Sequence, residues 1–183
     1  MAPGVKGIDG APVAVLAAAG LGVAVSELAE EVQPTRDRLV QHHRVTMALL
    51  RNGGVAPFRF GNVFPGEAEL RQELQGRAPE LQEKLKSLAG CVEMAVRLAV
   101  PAGQKPASGT DYLLHKKREL HAADHLRANL DKVVRDWRQD MKGDSLGLAC
   151  LVEQARIAEF KAKVAEIDMR AEVSGPWPPS SFV

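Results

Sequence analysis

The chain has 183 residues, 45% of them hydrophobic and 26% charged, with 24 basic and 23 acidic side chains and a net charge of +1. That length fits one large domain or two small lobes, and the composition is that of a globular protein rather than a disordered one. A binder of bare duplex carries a basic excess that is missing here, so nucleic acid is not an expected partner.

From Ala11 to Val25 the residues are almost wholly apolar and follow Lys6, somewhat as in a secretory signal. Asp9 before the run, Pro12 inside it, and Gly20 and Gly22 argue against a signal. The run is also shorter than the roughly 20 apolar residues a membrane span needs, so a cytoplasmic protein with no lipid-membrane partner is expected. The stretch reads as a hairpin: Val13 and Val15 on one face, a turn at Ala18-Ala19-Gly20, then Leu21, Val23 and Val25.

Gln33-Pro34-Thr35 offers a break and a helix start, after which Leu39, His43, Met47 and Leu50 recur at helical spacing. Asn52-Gly53-Gly54 ends that helix. Over 55–64, Phe58, Phe60 and Phe64 share one face of a predicted strand and Arg59 and Gly61 the other. Leu70 and Leu74 predict a short helix stopped near Gly76, and Pro79 opens a second with Leu81, Leu85 and Leu88 on one side. These signals place an N-terminal hairpin-plus-helix α+β lobe at 1–78 and a second lobe at 79–183.

Gly90 precedes the clearest strand, in which Val92, Met94, Val96, Leu98 and Val100 face inward while Glu93 and Arg97 face away. Pro101 to Gly109 has loop composition. Leu126, Leu130, Val133, Trp137 and Met141 predict one long helix from about Thr110 to Met141. Lys142-Gly143-Asp144 turns the chain into a strand carrying Leu146, Leu148, Cys150 and Val152. Ile157, Phe160, Val164 and Ile167 mark another helix, and Arg170 to Ser174 a short last strand. Strands alternating with helices that cover one face of a small sheet fit a ferredoxin-like α+β class.

Chemistry is sparse. His121, Asp124 and His125 share a predicted helix face and offer three ligands of the kind zinc takes, the basis of a metal-dependent hydrolase reading. No glutamate base of the HExxH type accompanies them, and a solvated face is the simpler account. His43 falls on an apolar stripe beside His42, as a partly buried structural histidine would. Lys116-Lys117-Arg118 is followed by Glu119 and Asp124 and reads as a solvated face. Nucleophile-elbow, phosphate-loop and dinucleotide spacings are missing. Cys91 and Cys150 lack a CxxC partner and read as two buried thiols in a reducing compartment. No catalytic residue, metal or cofactor is expected.

The ending, Gly175-Pro176-Trp177-Pro178-Pro179 followed by Phe182 and Val183, is different. Three prolines around a tryptophan predict a stiff extended segment that sustains no ladder and docks by burying Trp177 and Phe182. This ending resembles the signature of the gas vesicle GvpF/GvpL family, in which Gly-Pro-Trp-Pro-Pro precedes a short hydrophobic finish. Phe58-Arg59-Phe60-Gly61-Asn62-Val63-Phe64 is similar to that family's Arg-Phe-Gly-Thr-Val-Phe segment. Gly90 with Glu93, and Leu148-Ala149-Cys150-Leu151-Val152, resemble two further family stretches in the same order.

The resemblance implies a non-enzymatic gas vesicle protein with a modified ferredoxin-like C-terminal lobe. It implies contact with the small hydrophobic shell protein and other gas vesicle accessory proteins, with a role in nucleation or assembly. The alternative is a cytoplasmic protein-binding adaptor of the same fold outside gas vesicles. Partner binding or lobe docking is expected at Phe58, Arg59, Phe60, Gly61, Asn62, Val63 and Phe64, and at Gly175, Pro176, Trp177, Pro178, Pro179, Phe182 and Val183. Asn62 stands where the family has threonine, Ser180 where it has an aromatic, and the family's extra apolar strand ahead of the hairpin is missing. A sheet lacking that strand has an unpaired edge, expected to pair with a second copy or a strand of the partner, or else to be covered by residues 1–8; a two-fold homodimer through it is the simplest closed form.

Overall fold

The computed structural model describes residues 4–51, 53–99, 121, 123–142, 145–167 and 171–183. They divide into two compact units, Met1–Gly90 with Pro178–Ser181 and Val183, and Cys91–Trp177 with Phe182. The division lies at Gly90/Cys91, and residues 78 and 79, the expected boundary, lie within one helix.

In the first unit, strands β1 (Ala14–Ala18) and β2 (Leu21–Val25) form the expected antiparallel hairpin. Its two-residue turn needs positive φ at both positions, and Ala19 and Gly20 have φ of 50° and 74°. Ahead of it, a single antiparallel bridge joins Lys6 to Pro12. Helix α1 (Arg36–Arg51) starts where Thr35 caps it, the Thr35 Oγ1 accepting the Arg38 N–H at 3.3 Å. Leu50 and Thr46 are its buried residues, whereas Leu39, expected on the inner face, is 46% exposed.

Helix α2 (Glu67–Leu88) is continuous and replaces the two short helices expected on either side of Gly76 and Pro79. Pro79 inside a helix costs about 3 kcal/mol. Leu70, Leu74, Ala78, Leu81 and Leu88 nevertheless form one buried stripe through it, each leucine contributing roughly 1.5–3 kcal/mol. The stripe outweighs the breaker. Leu70, Leu74, Ala78 and Leu81 form one core with Ala18 and Leu21 of the hairpin, and Leu16, Val23, Val25, Phe58 and Leu85 pack around it. The expected strand over 55–64 is not formed; that segment is a loop with a turn at Phe60-Gly61.

The second unit is a four-stranded antiparallel sheet in the order β4-β5-β3-β6. Its strands are β3 (Cys91–Ala99), β4 (Val134–Lys142), β5 (Ser145–Glu153) and β6 (Glu172–Trp177). Residues 123–130 are helical (α3), and α4 spans Ile157–Ile167. The described order β3-α3-β4-β5-α4-β6, with β5 inserted between β3 and β4, is the split βαβ arrangement of the ferredoxin-like class. Val92, Met94, Val96 and Leu98 of β3 lie level with Val152, Cys150, Leu148 and Leu146 of β5, and all are buried. Ala123, Leu126 and Leu130 of α3 and Phe160 and Val164 of α4 are the buried apolar residues that cover this face.

Two expectations fail in this unit. The long helix predicted to reach Met141 ends by Leu130, the Val133 N–H closing onto the Leu130 carbonyl at 2.8 Å, and 134–142 is a strand. The helical spacing of Trp137 and Met141 is overruled by the paired edge β5 offers from Val152 to Ser145. The last strand does not stop at Ser174 but continues through Pro176 to Trp177, where Trp177 pairs with Glu93. It does so because β6 is an edge strand with a bulge, two residues (Gly175 and Pro176) facing one (Met94), and a proline needs no ladder hydrogen bond there. The Gly175-Pro176 peptide is cis. Pro101 to Gly109, the start of the predicted long helix and Lys116-Lys117-Arg118 lie outside the described residues.

No described helix is long and apolar enough to cross a membrane. Cys91 and Cys150 are both free and buried, as expected. Burial pushes the Cys150 thiol up to about 12, so it is inert at neutral pH.

Candidate interaction site

Two stretches carry the residues singled out in the sequence, and each is split by the fold into anchors and exposed side chains. In the first, the Arg59 carbonyl accepts the Asn62 N–H at 3.3 Å. That turn requires positive φ at its third residue, and Gly61 supplies φ of 90°. Reversal of the chain at Gly61 is why the three phenylalanines do not line one face. Phe58 is half-buried against the core of the first unit. Phe60 meets the His42 ring edge-on, centroids 5.8 Å apart and planes at 86°. Arg59 and Asn62 are exposed. Beyond the turn, Val63 is 60% and Phe64 37% exposed.

Phe64 forms one wall of an open groove of about 620 Å³ whose other lining residues, Glu69, Gln72, Glu73, Gly76 and Arg77, come from α2. Gly76 leaves this wall low, since nothing lies within 4 Å of where its β-carbon would stand. Arg77 holds Glu73 and Glu80 at 3.5 Å each. The groove is thus an apolar lip beside a charged floor. The α2 contribution was not singled out in the sequence; Gly76 within a glutamate- and arginine-rich stretch was its only signal.

Trp177, expected to be buried, lies exposed at the end of β6. Trp177 is 40% exposed, its Nε1–H donating to Ser174 Oγ at 3.3 Å. Placement on an edge strand leaves the ring one face to cover rather than a pocket to fill. Pro178 and Pro179 are buried instead, and so is Phe182, over whose ring the Arg138 guanidinium sits 5.1 Å from the centroid. Arg138 is held there by Asp136 at 2.9 Å. Val183 is 41% exposed.

The remaining chemistry does not converge. His121 is exposed, as are Asp124 and His125 on α3, and among the described residues no three His, Cys, Asp or Glu side chains come together as a metal site. His42 and His43 are half-buried. Burial, followed by the neighbouring charge of His43, holds the His42 imidazole below its ordinary value. A second depression, about 690 Å³, is lined by Lys6, His43, Arg44, Met47 and Arg51 among others, and its cations are exposed surface groups.

What the arrangement offers is apolar side chains held out from ordered backbone, next to anchored neighbours. Residues 2–183 match the family described as "Gas vesicle synthesis protein GvpL/GvpF". Gas vesicle protein F2 of Halobacterium salinarum is 28% identical over an alignment covering 100% of this chain and 86% of that protein. Gas vesicle protein F of a Streptomyces species is 24% identical, covering 94% and 88%. Among solved structures, gas vesicle protein GvpF from Microcystis aeruginosa superposes with a TM-score of 0.77 at 19% identity, covering 97% of this chain and 90% of that one. GvpF from an Anabaena species does so with a TM-score of 0.77 at 18% identity. At such identities the superpositions establish the shared fold, and the family match over the chain's length establishes the rest: this protein is a member of the gas vesicle GvpL/GvpF family.

Proposed function

We propose that the chain is a non-catalytic assembly protein of the gas vesicle, acting in the cytoplasm where the vesicle forms. It contacts the small hydrophobic shell protein, alongside other accessory proteins, through the lip formed by Val63 and Phe64 and the α2 groove beside it. The observation that carries this reading is the exposure of Val63 and Phe64 in a segment whose other aromatics, Phe58 and Phe60, are anchored. An apolar partner covering two such side chains gains roughly 25 cal/mol for each Å² removed from water. Trp177 and Val183 are further exposed apolar side chains, each on its own unit.

Val63→Asp combined with Phe64→Asp tests it by capture of the shell protein on the immobilised chain. Both side chains are exposed, so thermal stability is expected to stay within about 0.5 kcal/mol. Capture is expected to drop at least about tenfold, the equivalent of 1.4 kcal/mol. A double variant that keeps its fold and captures the shell protein as the parent does places the contact elsewhere.

A further inference from the structure

The hairpin has two edges, and they are not alike. Ala18 and Leu21 flank its two-residue turn as a hydrogen-bonded pair, so Leu16 with Val23 and Ala14 with Val25 are the next bonded pairs. By alternation, Val15 and Ala17 turn their N–H and C=O groups outward from β1, and Gly22 and Ala24 turn theirs outward from β2. The β1 edge is guarded. The Ala17 carbonyl accepts the Arg71 Nη1–H at 2.9 Å, and Arg71 is itself held by Glu67 at 2.6 Å. A fixed ion pair on an edge is what discourages another strand from adding there.

The β2 edge has no such guard. No described residue bonds the outward groups of Gly22 and Ala24. No charged residue lies between Pro12 and Ser26, and β2 itself contains no proline. The side chains beside this edge are small: Gly22 is exposed, Ala24 half-buried, and Ala17 opposite Gly22 is exposed. Nothing bulky keeps another backbone from reaching the roughly 4.8 Å of a ladder.

We propose that β2 pairs antiparallel with β2 of a second copy of this chain. A register centred on Val23 sets Gly22 of one copy opposite Ala24 of the other, and Ala24 opposite Gly22. Every outward group at these positions then meets its complement. The strand is self-complementary in length, charge and side-chain size, as an arbitrary foreign strand would not be. Because Arg71 occupies the Ala17 carbonyl on the β1 edge, β2 is the edge used, and the pairing closes as a two-fold dimer with strand order β1-β2-β2-β1 rather than growing into a filament. It also turns a two-stranded sheet, marginal by itself, into a four-stranded one.

The test is sedimentation across a concentration series for the full chain, Ala24→Pro and Gly22→Lys. Proline at 24 removes an N–H that points away from β1, so the hairpin keeps its own bonds. Lysine at 22 is sterically allowed, since a β-carbon there meets only Val15 Cγ1 at 3.5 Å, and it sets like charges beside the two-fold axis. The parent is expected to pass from monomer to dimer, and both variants to weaken the dimer about tenfold or more while keeping the parent's circular dichroism. Amide exchange on the parent keeps the proposal testable should either variant misfold: the Gly22 and Ala24 amides are expected to slow as concentration rises. A monomer at every concentration, a dimer indifferent to two folded variants, or exchange at these amides independent of concentration overturns it.

Discussion

At Gly175 the backbone leaves no space for a side chain. A β-carbon would stand 2.8 Å from the Glu93 carbonyl oxygen and 3.0 Å from Met94 Sδ, and φ is 116°. That crowding is the cost of fitting Gly175 and Pro176 into a bulge opposite Met94, which is fully buried. Gly175→Ala is expected to destabilise by about 1–3 kcal/mol from backbone strain alone, with displacement of β3 backbone adding to it. Chemical denaturation measures this, and a loss below about 0.5 kcal/mol means that the bulge relaxes freely. Phe182 shows the same division of labour within the tail. It is buried beneath Arg138, so the aromatic that secures the chain's end is the small one near the terminus rather than the tryptophan.

Among the elements, β3, β5 and α4 were legible because burial is the only force acting on them. Both strands are central and bury an apolar side chain at every second position, 92 to 98 in β3 and 146 to 152 in β5, and α4 repeats its apolar residues at one period. Strand β4 was illegible because an edge strand needs less apolar content: Gln139 and Arg138 are exposed, and pairing with β5 defines it. The loop at 55–64 misled through its phenylalanines, whose spacing is that of a strand while Gly61 reverses the chain. Of the candidate site, Val63, Phe64 and the tail were named from sequence, and the α2 wall of the groove was not, since it arises from folding. Helix α2 misled through Pro79, and that misreading has a testable remainder. With the stripe from Leu70 to Leu88 already formed, Pro79 still lacks the N–H a helix interior uses. Pro79→Ala is expected to stabilise the chain by about 1–3 kcal/mol, read as a higher melting temperature. An unchanged or lower melting temperature shows that the helix is adapted to the proline by a bend other contacts require.

For the molecule as a whole, pH enters through His42. Its imidazole is held below the ordinary value of 6.5 by burial first and by His43 second. The unfolded chain therefore takes up a proton at His42 before the folded chain does. This stability is fully present above about 6.5 and is lost as pH falls through the lowered folded value, after which both states carry the proton. Melting temperature against pH is expected to fall below about 6.5 in the parent and to fall less in His42→Gln; parallel curves count against this origin. The order of strands has a different consequence, in time rather than in energy. Strand β3 is bordered by β5 on one side and on the other by β6, which follows the other three strands of the sheet in sequence. During synthesis one margin of this apolar strand stays bare until β6 has emerged from the ribosome, so a chain stalled before β6 is a natural client for chaperones.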